Sequence, residues 1–122
     1  MTEPEKLHNN VYGILICNSS LEKPSKILKS TFGLSDSEVY VYRSQFYENE
    51  FLKVRTNIYD LKTEPIDQSS EHLFNGEVLG SKSEVIARVK NIADVLNKND
   101  CQCSFEIYNN NLEFIYEYPE KR

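Results

Sequence analysis

"SKSEVIARVKNIADVLNK", Ser81 to Lys98, is the stretch on which the fold turns. Val85, Ile86, Val89, Ile92, Ala93 and Leu96 recur at the i, i+1, i+4, i+7, i+8, i+11 spacing of one helix face. Lys82, Arg88, Lys90, Asp94, Asn97 and Lys98 fall mostly off it. Ser81-Lys82-Ser83-Glu84 matches S-x-x-E, the capping box in which each end satisfies a backbone N–H of the other. The pattern predicts a helix over Lys82 to Lys98 with one apolar stripe, which needs a second layer to cover it.

Downstream, the sequence alternates as strands do. "CQCSFEIY" places Cys101, Cys103, Phe105 and Ile107 on one face, and "NLEFIYEY" places Leu112, Phe114, Tyr116 and Tyr118 on one face. With Asn109-Asn110 as a two-residue turn, Ile107 faces Leu112, Phe105 faces Phe114, Cys103 faces Tyr116 and Cys101 faces Tyr118. Every apolar residue then meets another, and a one-residue slip destroys the match. The same register sets Glu106 across from Glu113, and Gln102 across from Glu117. Like charges so placed repel. Either Lys53 or Arg55 from a neighbouring strand relieves them, or the surface is held for a basic partner.

Upstream, "VYGILIC" (Val11–Cys17) is almost continuously apolar, which suits a central strand covered on both faces. A short helix follows, with Pro24 at its first position, Gly33 just past its end, and Ile27, Leu28 and Phe32 as its buried stripe. "VYVYR" (Val39–Arg43) alternates, with Val39 and Val41 on one face and Tyr40 and Tyr42 on the other; either pair can be the core. "FLKVRTNIYDL" (Phe51–Leu61) reads as one strand, "KTEPIDQSSE" as a loop and "HLFNGEVLG" as a further strand. The reading is a single domain over residues 1–122, with residues 1–10 a frayed end. Its class is α+β: a two-layer sandwich of two helices on a mostly antiparallel sheet of about five or six strands.

The chain has 122 residues, 39% apolar and 27% charged, with a net charge of −5. That balance excludes a backbone-type nucleic-acid binder, which needs clustered Lys and Arg. Residues 1–61 hold 7 Lys+Arg and 8 Asp+Glu, whereas residues 62–122 hold 7 and 11. The acidic surplus therefore sits in the second half. No run is long and apolar enough for a membrane helix, and "MTEPEKLHNN" is the opposite of a signal peptide. With three cysteines and no export signal, reduced thiols in a cytoplasmic protein are expected.

Four motifs invite chemistry. "GEVLGSKS" (Gly76–Ser83) is one residue from the phosphate loop G-x-x-x-x-G-K-[ST], but Ser81 replaces the second glycine and already has a capping role. "CQC" is half a metal site, yet both cysteines fall on an apolar strand face, and His8 and His72 lack metal-ligand spacing. No cofactor or metal is expected. His72 beside Glu71 is a lone acid–base candidate with no identifiable second group, so no catalytic residues are assigned. The segment Asp60–Glu77 carries Asp60, Glu64, Asp67, Glu71 and Glu77 against the single Lys62.

The second half, with its strand "FNGEV", its helix from Ser83 to Leu96 and its closing "FEIYNNNLEFIYEY" hairpin, is similar to bacterial immunity proteins, the neutralising partners of polymorphic and contact-dependent growth inhibition toxins. The resemblance covers less than half the chain and brings no shared functional residues, because each such protein matches its own toxin. It implies a cytoplasmic, non-catalytic, often acidic α+β domain that covers a toxin active site, in many cases that of a nuclease with a basic cleft. On that reading the toxin-binding residues expected are Tyr40, Tyr42, Tyr47, Glu48, Glu50, Asp60, Glu64, Asp67 and Glu71. The alternative is a small non-catalytic ligand-binding or regulatory domain acting as a homodimer.

Overall fold

A computed structural model describes residues 8–44, 49–66 and 70–119. Tyr47, Glu48 and Asp67 lie outside the described residues. The elements run β1 (His8–Ile16), α1 (Glu22–Phe32), β2 (Val39–Arg43), β3 (Glu50–Arg55), β4 (Tyr59–Pro65), β5 (Glu71–Leu79), α2 (Lys82–Lys98), β6 (Gln102–Tyr108) and β7 (Phe114–Tyr118). They build one seven-stranded sheet in the order β2-β3-β4-β5-β1-β6-β7, antiparallel at every pairing. α2 packs on β5, β6 and β7, and α1 packs on β2 and on α2. The class is α+β as the sequence implies, with more strands than the five or six expected.

α2 occupies the span its periodicity predicts, and Val85, Val89, Ile92, Ala93 and Leu96 are its buried residues. Its capping box is complete: the Ser81 hydroxyl accepts from the Glu84 N–H at 3.3 Å, and the Glu84 carboxylate accepts from the Ser81 N–H at 2.9 Å. Asn97, off the apolar stripe, reaches β6: its side chain accepts from the Cys103 N–H at 2.8 Å and donates to the Cys103 carbonyl at 3.0 Å. The β6–β7 ladder reaches only from Phe105 to Tyr108, so Asn97 serves backbone groups that β7 does not pair. α1 starts at Glu22, placing Pro24 third in the helix, where its missing N–H is still one that would lack a helical partner. Gly33 closes α1 at φ 64°, its N–H bonded to the Lys29 carbonyl.

Three sequence expectations are corrected. The single strand over Phe51–Leu61 is two strands, because Thr56 folds the chain. Its hydroxyl accepts from the N–H groups of Ile58 and Tyr59, both at 3.0 Å, and its own N–H bonds the Tyr59 carbonyl. β4 therefore runs into the stretch read as a loop, as far as Pro65. Thr63 is buried there with its hydroxyl accepting from the Leu52 N–H at 2.9 Å, a polar group admitted to the core because it is satisfied.

The closing hairpin is the second correction. Phe105 pairs with Tyr118, Glu106 with Glu117 and Ile107 with Tyr116, and the register shifts between Ile107 and Tyr108. The two-residue turn is absent. The Asn109 side chain instead accepts from the N–H groups of Asn111 and Glu113, both at 2.9 Å, and Leu112 takes φ 61°. Through Ile107–Tyr116 the register differs from the expected one by four residues, so Tyr116 and Tyr118 keep the face of Ile107 and Phe105, whereas the shift beyond Ile107 turns Phe114 to the face of Tyr108. Apolar alternation fixes parity but not which even register is taken.

The third correction concerns β1. Val11, Leu15 and Cys17 are buried, but Tyr12 is 45% exposed and Ile14 and Ile16 are half-buried. The strand is central, yet only one of its faces lies under the helices. The core sits on that face, joining Val39, Leu52, Val54, Leu61, Phe74, Val78, Phe105 and Ile107 to α2. Gly13 and Gly76 keep neighbouring elements close. A Cβ on Gly13 would stand 2.5 Å from the Phe105 ring, and one on Gly76 would collide with the Asp60 carbonyl at a φ of 157°.

Candidate functional site

Strand alternation divides the sheet into a helix-covered face and an open one. Val39 and Val41 turn to the core, so Tyr40 and Tyr42 turn to the open face. Tyr42 stacks on Phe51 across the strand pair, with centroids 5.4 Å apart, and Tyr40 lies 6.0 Å from Tyr42. The Lys62 ammonium stands 5.4 Å above the Phe51 ring. Beside them Lys53 holds Asp60 at 2.6 Å, and Asp60 faces Glu77 on β5. Glu64 is exposed on the same face of β4, and Glu71 is exposed where β5 begins. The open face thus gathers Tyr40, Tyr42, Asp60, Glu64 and Glu71 from among the expected residues. In this part of the sheet, lysines are interleaved with the carboxylates, so local charge is largely balanced.

Glu50 is not part of that gathering. It shares parity with Leu52 and turns toward the helix side, where its carboxylate accepts from the Ser20 hydroxyl at 3.1 Å. Nor do Lys53 and Arg55 serve the acids of the closing hairpin, because β4, β5 and β1 separate β3 from β6.

A second aromatic group stands on β1, β6 and β7. Tyr12 meets Tyr108 edge-on at 5.5 Å, and Tyr108 meets Phe114 edge-on at 5.8 Å. Phe114 is 56% exposed and Leu112, in the adjoining turn, 64%. Next to them Glu106 and Glu117 sit directly opposite each other. The Tyr108 hydroxyl donates to Glu106 at 2.7 Å. That bond is the leading reason its phenol is held above the usual range, with partial burial and the Glu106 charge adding to it. No ion pair among the described residues reaches either carboxylate. The two acids border a depression of about 250 Å³ that also takes in Tyr12, Ile14, Leu73, Asn75 and Ser104. Strand spacing puts this group about 19 Å from the Tyr42–Phe51 stack.

The sequence reading weighed Glu106 but missed Tyr12, Tyr108, Phe114 and the Glu106–Glu117 pairing. "VYGILIC" carried the usable signal: an apolar strand in an antiparallel sheet has one face to spare unless a second layer covers it.

At the start of α2, the Ser81 and Glu84 amides are already bonded within the capping box, and Arg88 donates to the Leu79 carbonyl beside them. Cys17 and Cys101 are buried with their sulfurs 3.7 Å apart, and Cys103 is buried too. Among the described residues no three His, Cys, Asp or Glu side chains converge as a metal site. His72 is half-buried on the helix side. Burial pulls its pKa below the usual value, against the opposing pull of Glu50. Its Nδ1 is buried without a hydrogen-bond partner among the described residues. Among the described residues no helix is long and apolar enough to cross a membrane.

Comparison with protein-family models, with curated proteins and with solved structures finds no match for this chain.

Proposed function

We propose that this chain is an immunity protein, which binds a cognate bacterial toxin and neutralises it by covering its active site. The observation that carries the reading is the open sheet face. Its central strand presents Tyr12, Ile14 and Ile16 where no helix covers them, with carboxylates alongside. Contiguous apolar surface rimmed by charge is the usual mark of a protein–protein contact. The net charge of −5 suits a basic partner, such as a nuclease whose cleft normally receives phosphates. Complementary charge speeds encounter, and buried aromatic anchors slow release. Together with the likeness of the second half to immunity proteins, these features favour occlusion over catalysis.

A homodimer built through the same face is the competing reading. An isologous pairing centred on the Glu106–Glu117 end of the face would set these carboxylates against their copies, which weighs against that arrangement. Sedimentation over a concentration series separates the two. The direct test is to identify a gene for a secreted toxin beside that of this chain and to mix the two purified products. Loss of toxin activity at an equimolar ratio is expected, and undiminished activity at excess overturns the reading.

A further inference from the structure

The two aromatic groups of the open face are not equivalent, and the difference identifies what each can bind. Around Tyr42 and Phe51 the charges are already answered. Lys53 holds Asp60, and Lys62 covers the Phe51 ring. A basic partner arriving there has to displace these cations. Around Tyr12 and Tyr108 no such cation stands among the described residues, while Glu106 and Glu117 face each other across one strand pair. Residues so paired have Cβ atoms roughly 5 Å apart, and the repulsion is a standing cost that a cation between them removes.

We infer that the depression bounded by Glu106, Glu117 and Tyr12 is a subsite for an arginine side chain presented by a basic protein partner. The inference rests on the toxin-neutralising reading and assigns its chemistry to particular residues. Two carboxylates a strand spacing apart offer acceptors on both sides of a planar guanidinium, which has five donors in a fixed fork. The Tyr108 hydroxyl holds Glu106 in place at 2.7 Å, so the acceptor is positioned before a ligand arrives. Tyr12, 45% exposed and edge-on to Tyr108, supplies a ring face for stacking. Asn75 and Ser104 give the depression a polar wall, and Ile14 and Leu73 give it an apolar floor for the methylene stem. A lysine ammonium is a point charge that uses fewer of these contacts, so arginine is preferred.

The test uses the whole chain, labelled for NMR, and a blocked Gly-Arg-Gly peptide as probe, with Gly-Lys-Gly and Gly-citrulline-Gly as comparisons. Amide shifts are expected at Tyr12, Asn75, Ser104, Glu106 and Glu117, strongest for arginine and weakest for citrulline. Glu106→Gln with Glu117→Gln is expected to weaken the arginine peptide at least about tenfold, the loss of charge-assisted hydrogen bonds. The single Glu117→Gln should lie between. Equal shifts with citrulline, or shifts that survive the double substitution, overturn the subsite. So do concentration-dependent shifts at the same residues without peptide, which mean that a second copy of the chain occupies the face. Toxin inhibition is read separately. A chain that binds the arginine peptide but leaves the toxin active keeps the subsite and loses the neutralising function. A chain that inhibits the toxin equally well with both glutamates replaced keeps the function and loses the subsite.

Discussion

Glu106 on β6 stands directly across from Glu117 on β7, and among the described residues neither carboxylate is held by an ion pair. A cross-strand pair of like charges weakens a sheet by a few tenths to about 1 kcal/mol. Glu117→Gln is therefore expected to stabilise the free protein by about 0.5 kcal/mol while weakening the proposed arginine subsite. Urea unfolding with and without 1 M salt checks the first half, since the gain should shrink as salt screens the repulsion. A variant less stable than the parent at low salt would show that Glu117 has an attractive partner instead.

The elements that were legible in the sequence are those whose local signals agree with their tertiary use. α2 is the clearest, because its apolar stripe and its Ser81–Glu84 box mark the same boundaries. Gly33 marked the end of α1 for the same reason. The Thr56 turn was hidden because Phe51–Leu61 keeps strand-like alternation through it. The turn is made by a hydroxyl that nothing in the residue pattern advertises. The hairpin register was hidden because more than one even register pairs the apolar faces, and because alternation does not reveal the shift beyond Ile107, which carries Phe114 to the open face beside the turn that the Asn109 side chain holds. The candidate site was half legible. Tyr40 and Tyr42 were visible as an alternating pair, whereas Glu106 and Glu117 become neighbours only through that register.

Gly76 and Gly13 should be the least replaceable glycines, for different reasons. Gly76 combines a φ of 157° with a Cβ position already held by the Asp60 carbonyl, and a backbone atom in a ladder cannot move aside. Gly76→Ala is expected to cost on the order of 3 kcal/mol or more. At Gly13 the obstacle is the side chain of Phe105, with ring carbons 2.5 and 2.6 Å from the added Cβ and the Ser104 carbonyl at 2.8 Å. Gly13→Ala should cost about 1–3 kcal/mol, the usual range for an overfilled core. Phe105→Leu in that background should recover part of the loss, so a double-mutant cycle in urea would show coupling. Purely additive losses would place the strain elsewhere.

His72 gives the fold an acid-side sensitivity. Burial lowers its pKa from 6.5, so the folded chain keeps the imidazole neutral at a pH where the unfolded chain binds a proton. The contribution is present above about pH 6.5 and is lost as the pH falls below it. Stability measured at pH 7 and pH 5 should drop, and His72→Gln should flatten the drop. Glu50 opposes the lowering, so Glu50→Gln should move the His72 titration further down in NMR. An upward movement would mean that Glu50 does not act on the ring.

The buried thiols give a second sensitivity, on the alkaline side. Cys17 and Cys101 sit 3.7 Å apart, sulfur to sulfur, in the core. Burial, then the bond and charge of Cys17, push the Cys101 thiol up from 9.0 to about 11. Cys103 is raised too, chiefly by burial. The thiolate is the reactive form, so alkylation of the native chain at pH 8 should be far slower than in urea. The raised pKa also sets the sign of the stability change. As pH rises past about 9 the unfolded chain loses its Cys101 proton while the folded chain keeps it. Stability should therefore fall between about pH 9 and pH 11, and level once the folded thiol ionises. Tyr59, Tyr108 and Tyr118 are raised above 10.0 and bend the curve in the same direction. The quantity to read is thus the difference in slope between the parent and Cys101→Ala, not the slope alone. Alanine leaves a small cavity and lowers stability at every pH, but it carries no proton, so its curve should fall less steeply above pH 9. Parallel curves would mean that Cys101 titrates alike in the folded and unfolded chains.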